Sequence, residues 1–342
     1  MDITEFRTEL KTGKLSRWYI LSGEEDYLKK YYANELRSMV CADEAFSLFN
    51  YASFDGEDID FGAVGEAIKS PPMMSEYKLI EWKFAPLDNL KESEKSALES
   101  LFDLKEEYPY TIFVITATSD GFDAGTAKRP SKLALRLSSA FDIVNFPKST
   151  DSQLLTWLKK HFDAEGVSVQ ADVLHALLFR SGHSMEVLNN EVIKLCSLVK
   201  SNGRTALSVA DVEAAASPTV ECDAFALSNA VLERNAEAAF VALTDLKQRR
   251  VEPQIIIAML ERIYSELSSV AILLEEGHGA AAIESILKIH TFKAKIYINA
   301  AKRVGAKRLA STLTELCRID AASKSGGVSG YGAIEMFIAQ NF

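Results

Sequence analysis

Residues 22–27, with the sequence SGEEDY, lie where a phosphate-binding loop would be expected, between a short apolar run and a helical pattern. The motif for such a loop, Gly-x-x-x-x-Gly-Lys-Ser/Thr, is absent, because the segment has one glycine, no lysine and three carboxylates. A nucleotide polyphosphate would meet repulsion here, whereas a phosphate-binding loop supplies backbone N–H groups and a cation. The segment therefore indicates a nucleotide-binding architecture without nucleotide chemistry. The alternative is an ordinary turn between a strand and a helix.

No other pattern indicates a catalytic, cofactor-binding or metal-binding site. Glu81 lies in an apolar segment, without a second acidic residue that would help it to hold magnesium. The nucleophile motif Gly-x-Ser-x-Gly and the pair Cys-x-x-Cys are both absent. The histidines are scattered singly, at His161, His175, His183, His278 and His290. We therefore predict that the chain is not an enzyme and has no cofactor or metal of its own.

The least ordinary loop is SPPMMS at residues 70–75, which we call the methionine loop. Pro71 and Pro72 restrict the backbone and so reduce the entropy lost when the loop docks on a partner. Met73 and Met74 offer flexible, polarisable side chains that can fill an irregular apolar pocket. The loop thus indicates a protein-binding site. The alternative is that both methionines pack on the chain's own sheet, in which case they would be buried.

Two basic clusters interrupt an acidic chain, whose formal charge is −10. A protein of this charge is not expected to grip nucleic acid by itself, because neutralising phosphates requires concentrated Lys and Arg. The clusters are interpreted as facing DNA phosphates or an acidic subunit, with solvated helix faces as the alternative. The first contains Lys128, Arg129, Lys132 and Arg136. The second begins with Lys288, Lys293 and Lys295, and its candidate contact residues are Lys302, Arg303, Lys307 and Arg308.

The candidate residues up to position 147 belong to a pattern of alternating strands and helices. Apolar runs predict strands at 18–21, 46–51, 78–82, 111–116 and 141–144. Between them, apolar residues at intervals of three and four predict helices at 27–40, 59–68, 90–102 and 128–137. Such alternation favours a parallel sheet of about five strands with helices on its faces.

Beyond residue 147 the pattern is all helical. Residues 148–217 contain three helical segments and a shorter one, which opens with Ser208 and Asp211 in a variant of the capping box. Residues 218–342 contain further helices, the longest beginning at Pro253, whose missing N–H costs nothing in a first turn. The predicted class is α/β followed by all-α, with domains at 1–147, 148–217 and 218–342.

Composition places the chain among globular proteins, with 48% hydrophobic and 25% charged residues. The N-terminus lacks an apolar signal core, and no apolar run reaches the roughly 18 residues that a membrane-spanning helix needs. We expect a cytoplasmic protein that does not enter a membrane.

With these pieces in order, the chain resembles the delta-subunit family of the bacterial DNA polymerase III clamp loader, within the AAA+ clamp-loader group. No single motif is sharp, but five occur in the family's order along nearly the whole chain. They are WYILSGEEDYL (18–28), PMMSEYKLI (72–80), GHSMEVLNNEVIKL (182–195), FKAK (292–295) and DAASKSG (320–326).

The resemblance implies a degenerate AAA+ sheet domain of the P-loop type, a three-helix lid and a helical collar for oligomerisation. In that family the subunit binds the beta sliding clamp and opens it for loading on primer-template DNA. Delta-prime and tau/gamma subunits complete a hetero-pentamer, and ATP is hydrolysed by sister subunits. The family's clamp-binding pair, usually Leu-Phe or similar, corresponds to Met73 and Met74, preceded by Pro71 and Pro72. Methionine can enter the same apolar pocket but forgoes the burial of a ring.

Two alternative functions remain. The first is an active P-loop-type ATPase, against which the acidic turn at Gly23 argues. The second is a delta-prime-like or motor subunit of the same assembly. Such a subunit would be expected to carry zinc-binding cysteines or an arginine finger in a Ser-Arg-Cys setting, and the sequence has neither.

Overall fold

The structure is a computed structural model that describes residues 1–41, 44–126, 128–289, 291–325 and 330–342. The chain divides into two compact units, Met1–Thr150 and Asp151–Phe342. The predicted boundary at residue 147 lies close to this division, whereas the one at residue 217 falls inside the second unit. The three-domain assignment therefore stays a prediction.

Strands in the first unit form one parallel sheet and one small hairpin. They are β1 (Trp18–Ser22), β2 (Tyr51–Asp55), β3 (Lys78–Ala85), β4 (Thr111–Ala117), β5 (Gly125–Thr126), β6 (Arg129–Pro130) and β7 (Asp142–Asn145). The sheet has the order β2-β3-β4-β1-β7 with every pair parallel, and β5 and β6 form the antiparallel hairpin. The predicted five-stranded parallel sheet is confirmed.

Helices precede and follow the strands as the alternating pattern predicts. They are α1 (Ile3–Thr12), α2 (Asp26–Val40), α3 (Glu44–Asn50), α4 (Phe61–Lys69), α5 (Glu92–Glu99), α6 (Leu104–Glu107) and α7 (Lys132–Leu137), with a 3-10 turn at Leu87–Asn89.

Two of the predicted elements were wrong in part. The segment 46–51 is not a strand, because α3 runs to Asn50 and β2 begins only at Tyr51. A short apolar run does not distinguish strand from helix by its period. The helix predicted at 128–137 begins at Lys132, because the Ser131 hydroxyl caps it by accepting from the Ala134 N–H, and Pro130 disfavours helix in the residue before it.

Apolar side chains cover both faces of the sheet, as expected for a parallel sheet flanked by helices. Successive residues of a strand point to opposite faces. Trp18 and Ile20 of β1 therefore join the core on one face, and Tyr19 and Leu21 join the core on the other. All four are fully buried, which fixes the position of the turn that follows β1.

The longer elements described in the second unit are all helices. Its helices are α8 (Asp151–Ala164), α9 (Ala171–Ser181), α10 (Met185–Ser201), α11 (Val209–Ala215), α12 (Val220–Leu232), α13 (Ala236–Gln248), α14 (Pro253–Glu275), α15 (Ala280–Leu287), α16 (Thr291–Val304), α17 (Ala306–Lys324) and α18 (Tyr331–Gln340). Both helix starts predicted from sequence are confirmed, the capping box of Ser208 and Asp211 and the first-turn Pro253. None of the helices in the described ranges has the length and apolar character that crossing a bilayer requires.

Candidate protein-binding site and the closed nucleotide position

The turn after β1 is closed by the chain that follows β7. Gly23 has φ +100, and a Cβ added there would collide with the carbonyl oxygen of Phe146. The Phe146 N–H donates to the Ser22 carbonyl at 2.8 Å, and the Glu25 N–H donates to the Phe146 carbonyl at 3.1 Å. A backbone N–H that a phosphate-binding loop would offer to an anion is therefore already used within the protein.

Lys29, on α2, fills the adjoining space between β1 and β4. Its side chain is 1% exposed, and its ammonium lies 2.8 Å from each of three oxygens: the carbonyls of Gly23 and Ala117 and a carboxylate oxygen of Asp26. An ammonium has three N–H donors, so all of them have partners. The Lys29 charge is consequently committed to the protein and is not available to a phosphate.

Sequence reasoning missed Lys29 because it counted lysines only in residues 22–27. The missed signal was spacing. Lys29 lies six residues after Gly23, as the lysine of a phosphate-binding motif follows its first glycine, with Leu28 and Lys30 in place of the second glycine and the Ser/Thr. The motif is therefore incomplete, and the lysine that it retains is buried.

The cavity beside this turn is acidic. It has a volume of about 410 Å³, and the described residues that line it include Glu24, Asp88, Asp120 and Asp123 but no Lys or Arg. The Asp88 carboxylate accepts from the Asp123 N–H at 2.7 Å, which holds two of the acids together. A triphosphate placed in this cavity would be repelled, in agreement with the interpretation of the turn from sequence.

The other candidate chemical groups have structural partners. The Tyr51 hydroxyl donates to the buried Glu81 carboxylate at 2.6 Å, across the β2–β3 pair. His161, His183 and His278 each contact a neighbouring carbonyl or carboxylate group, and His290 lies outside the described residues. In the described part of the chain, no group of His, Cys, Asp and Glu is arranged to hold a metal ion.

The methionine loop connects α4 to β3, at the amino-terminal edge of the sheet. Because the strands are parallel, this edge is opposite the one that carries the Gly23 turn. The side chain of Asn50, at the end of α3, binds the backbone of Met73 twice. Asn50 Nδ2 donates to the Met73 carbonyl and Asn50 Oδ1 accepts from the Met73 N–H, both at 2.7 Å. The two bonds give the backbone N–H and C=O of Met73 the partners that a helix or sheet would otherwise supply.

Both ends of the methionine loop are also anchored. The Lys78 ammonium donates to the Ser70 hydroxyl, and the Ser75 hydroxyl donates to the Val40 carbonyl at 3.3 Å. Lys78 is buried, and this burial lowers the pKa of its ammonium. The loop is thus held before, within and after its methionine pair.

Within this anchored loop the methionine side chains face solvent. Met73 is 45% exposed and Met74 82% exposed, with Pro71 exposed and Pro72 half-buried before them. Met74 has φ +54, a region that few residues other than glycine adopt. A large apolar side chain held outward on a strained, anchored backbone is typical of a binding element. The alternative of packing on the chain's own sheet does not hold for Met74.

The first basic cluster is divided between two elements. Lys128 and Arg129 are exposed in the hairpin of β5 and β6, and Lys132 is exposed at the start of α7. Arg136 instead pairs with Glu99 at 2.6 Å and with Glu92 at 3.1 Å. Its charge is therefore largely compensated within the protein.

The second basic cluster surrounds the junction of α16 and α17. Lys302 and Lys307 are exposed, Arg308 is half-buried, and Arg303 pairs with Glu233 at 2.7 Å. Lys307 and Arg308 fall in the first turn of α17, where a cation is unfavourable to the helix dipole. Because this placement does not stabilise α17, Lys307 and Arg308 are candidates for contacts with an acidic partner.

Together, the parallel sheet, the turn after β1 that Phe146 closes, and the helical second unit define a protein of the AAA+ fold type. Comparison with known proteins agrees. A family model described as DNA polymerase III, delta subunit matches residues 19–134, and one described as the C-terminal domain of that subunit matches residues 221–341. The chain belongs to the DNA polymerase III delta-subunit family, a family of clamp-loader proteins in DNA replication.

Two relatives illustrate the likeness. The chain is 25% identical over 340 residues to DNA polymerase III subunit delta of Bacillus subtilis (strain 168), covering 97% of this chain and 94% of the relative. It also superposes on the solved structure of the Bacillus subtilis DNA clamp loader delta protein with a TM-score of 0.53 and 24% identity, covering 99% of this chain and 98% of that one. The second comparison concerns the fold.

Proposed function

We propose that the chain binds the beta sliding clamp through Met73 and Met74 and favours the open form of the ring, so that the clamp can be loaded on primed DNA. The observation that supports this most is the exposure of the methionine pair, 45% and 82%, in a loop anchored on three sides. A fixed loop loses little entropy when it docks, so most of the free energy of burying the two thioethers is available for binding.

Opening the clamp requires a difference in affinity. A subunit shifts a ring toward its open form only by as much as it binds that form more tightly than the closed one. In this proposal Met73 and Met74 hold the clamp, Pro71 and Pro72 restrict the loop, and the surface around the loop fits the opened interface.

The proposed role is non-catalytic. Three features argue against ATP binding: the Lys29 ammonium already has partners within the protein, the cavity beside the turn is acidic, and the Phe146 carbonyl lies against Gly23. ATP would be hydrolysed by tau/gamma subunits, and this chain would join them and delta-prime in a cytoplasmic hetero-pentamer through the helices of residues 218–342. Primer-template DNA would be held by the whole assembly. Arg136 and Arg303 are the weaker candidates for contact with it, because carboxylates already pair with them.

Two titrations of the isolated chain test the proposal. Titration with the cognate beta clamp should show saturable binding, and titration with labelled ATP should show none at micromolar concentrations. ATP binding with no clamp binding would reverse the assignment and favour the P-loop-type ATPase.

A further inference from the structure

The segments that lead into β2 and β3 emerge next to each other. These strands are parallel neighbours with Tyr51 opposite Leu79, so the residues before Tyr51 and before Lys78 leave the sheet at the same edge. Neighbouring strands are about 4.8 Å apart. The end of α3 and the methionine loop are therefore adjacent, although more than 20 positions separate Asn50 from Met73 along the chain.

Asn50 joins the two segments into one rigid surface. It is 1% exposed, and its side-chain amide makes both of its 2.7 Å bonds to Met73. Hydrogen bonds of this kind are costly to leave unmade once their groups are buried. The last turn of α3 and the methionine loop are consequently expected to move together.

The residues just before Asn50 are apolar and exposed. Leu48 is 86% exposed and Phe49 55% exposed, both in the last turn of α3. A single exposed apolar residue is ordinary, but four large ones, all within two residues of the contact between Asn50 and Met73, are more typical of an interaction site. Leu48 is one of the two most exposed large apolar residues described in the chain, the other being Met74.

We infer that Leu48 and Phe49 form a second contact with the same clamp surface that receives Met73 and Met74. The inference rests on the proposed function. We assign the clamp as the partner of Leu48 and Phe49 because Asn50 joins their helix to the methionine loop at one edge of the sheet. Phe49 supplies the aromatic ring that the methionine pair lacks, and a ring buried at an interface contributes a large contact area at little entropic cost. The binding surface is thus a composite of α3 and the methionine loop.

The test compares three double variants of the full chain in titrations with the cognate clamp. Leu48→Ala with Phe49→Ala should raise Kd about tenfold, because truncating partly exposed apolar anchors at an interface commonly has an effect of that order. Met73→Ala with Met74→Ala removes the proposed primary contact. The matched control, Leu135→Ala with Phe84→Ala, removes a Leu and a Phe of similar exposure, 59% and 65%.

The control residues are well separated from the composite surface. Phe84 lies at the carboxyl end of β3, whereas the methionine loop precedes the amino end of that strand, roughly 20 Å away. Leu135 lies on α7, which precedes the opposite edge strand, β7. The control should leave Kd within a factor of about two.

The outcomes separate the inference from the proposed function. A loss of affinity in the methionine variant with no change in the Leu48 and Phe49 variant overturns the inference and leaves the proposed function standing. No loss in either variant overturns both. Self-association of the wild-type chain that disappears in the Leu48 and Phe49 variant, with clamp affinity unchanged, would assign the patch to a second copy of this chain and also overturn the inference.

Discussion

Replacing both loop methionines by alanine is the most direct perturbation of the proposed clamp contact. Met73 and Met74 together expose slightly more than one full methionine side chain, given their exposures of 45% and 82%. Burying a methionine side chain stabilises by about 1.5–3 kcal/mol. Part of this is offset by lost rotamer freedom, so we expect the double variant to weaken clamp binding by about 2 kcal/mol. That corresponds to a Kd raised about thirtyfold.

Isothermal titration of the chain with the cognate clamp measures this change. The variant should fold normally, because neither side chain belongs to the two core clusters described for the first unit, and its thermal unfolding should match that of the wild type. Phe84→Ala serves as a control, since it removes a side chain of 65% exposure at the other end of β3. An unchanged Kd in a normally folded methionine variant would refute the reasoning, because the anchors would then carry none of the binding free energy.

Three further predictions concern the parts of the structure that hold the site in place. Lys29→Met keeps the buried aliphatic part of the side chain but removes the ammonium that donates to the carbonyls of Gly23 and Ala117. The free energy of unfolding, measured in urea, should fall by about 3 kcal/mol. A loss under about 1 kcal/mol would contradict the assigned contacts. Gly23→Ala should cost at least about 2 kcal/mol in the same measurement. The cost should exceed that of Gly13→Ala, because Gly13 also has a positive φ, +70, but no described neighbouring atom within 4 Å of an added Cβ; equal costs would argue against the closed turn. The hydrogen bonds from the Arg204 guanidinium hold the pKa of the Asp211 carboxyl well below its usual range. Asp211 therefore stabilises the fold at pH values above its unfolded pKa, which is near 3.9. This contribution is lost as the pH falls toward the lower pKa of the folded state. The excess stability of wild type over Asp211→Asn, about 1 kcal/mol at neutral pH, should therefore shrink on acidification, and an excess that is constant with pH would be inconsistent with this pairing.

The region around α3 shows why part of the fold was predictable and part was not. The unbroken apolar run beginning at Trp18 contains its own signal, because every residue of a doubly covered strand is buried. Residues 46–51 are also largely apolar, yet most of them are helical. The last residue of that helix, Asn50, bonds through its side chain to Met73, a contact between segments that the local sequence cannot reveal.

The candidate site divides in the same way. The methionine loop was found from its residue types, and the family membership was found from five weak motifs in order. The spacing of Lys29 from Gly23 was visible in the sequence, but its inward orientation depends on Ala117, which lies 88 positions away along the chain.

By itself, the sequence determined that strands and helices alternate in the first unit, that the second unit is helical and that the phosphate-binding motif is incomplete. It also identified Met73 and Met74 as candidate binding residues. These are properties of residue type and spacing, which local sterics and hydrophobic periodicity control. Only the tertiary structure decided that the ammonium of Lys29 faces inward, that Met74 faces outward, and that Leu48 and Phe49 lie beside the methionine loop. Each of these depends on which segments the parallel sheet places next to one another, and strand order is set by packing of the whole unit and not by any single stretch of chain.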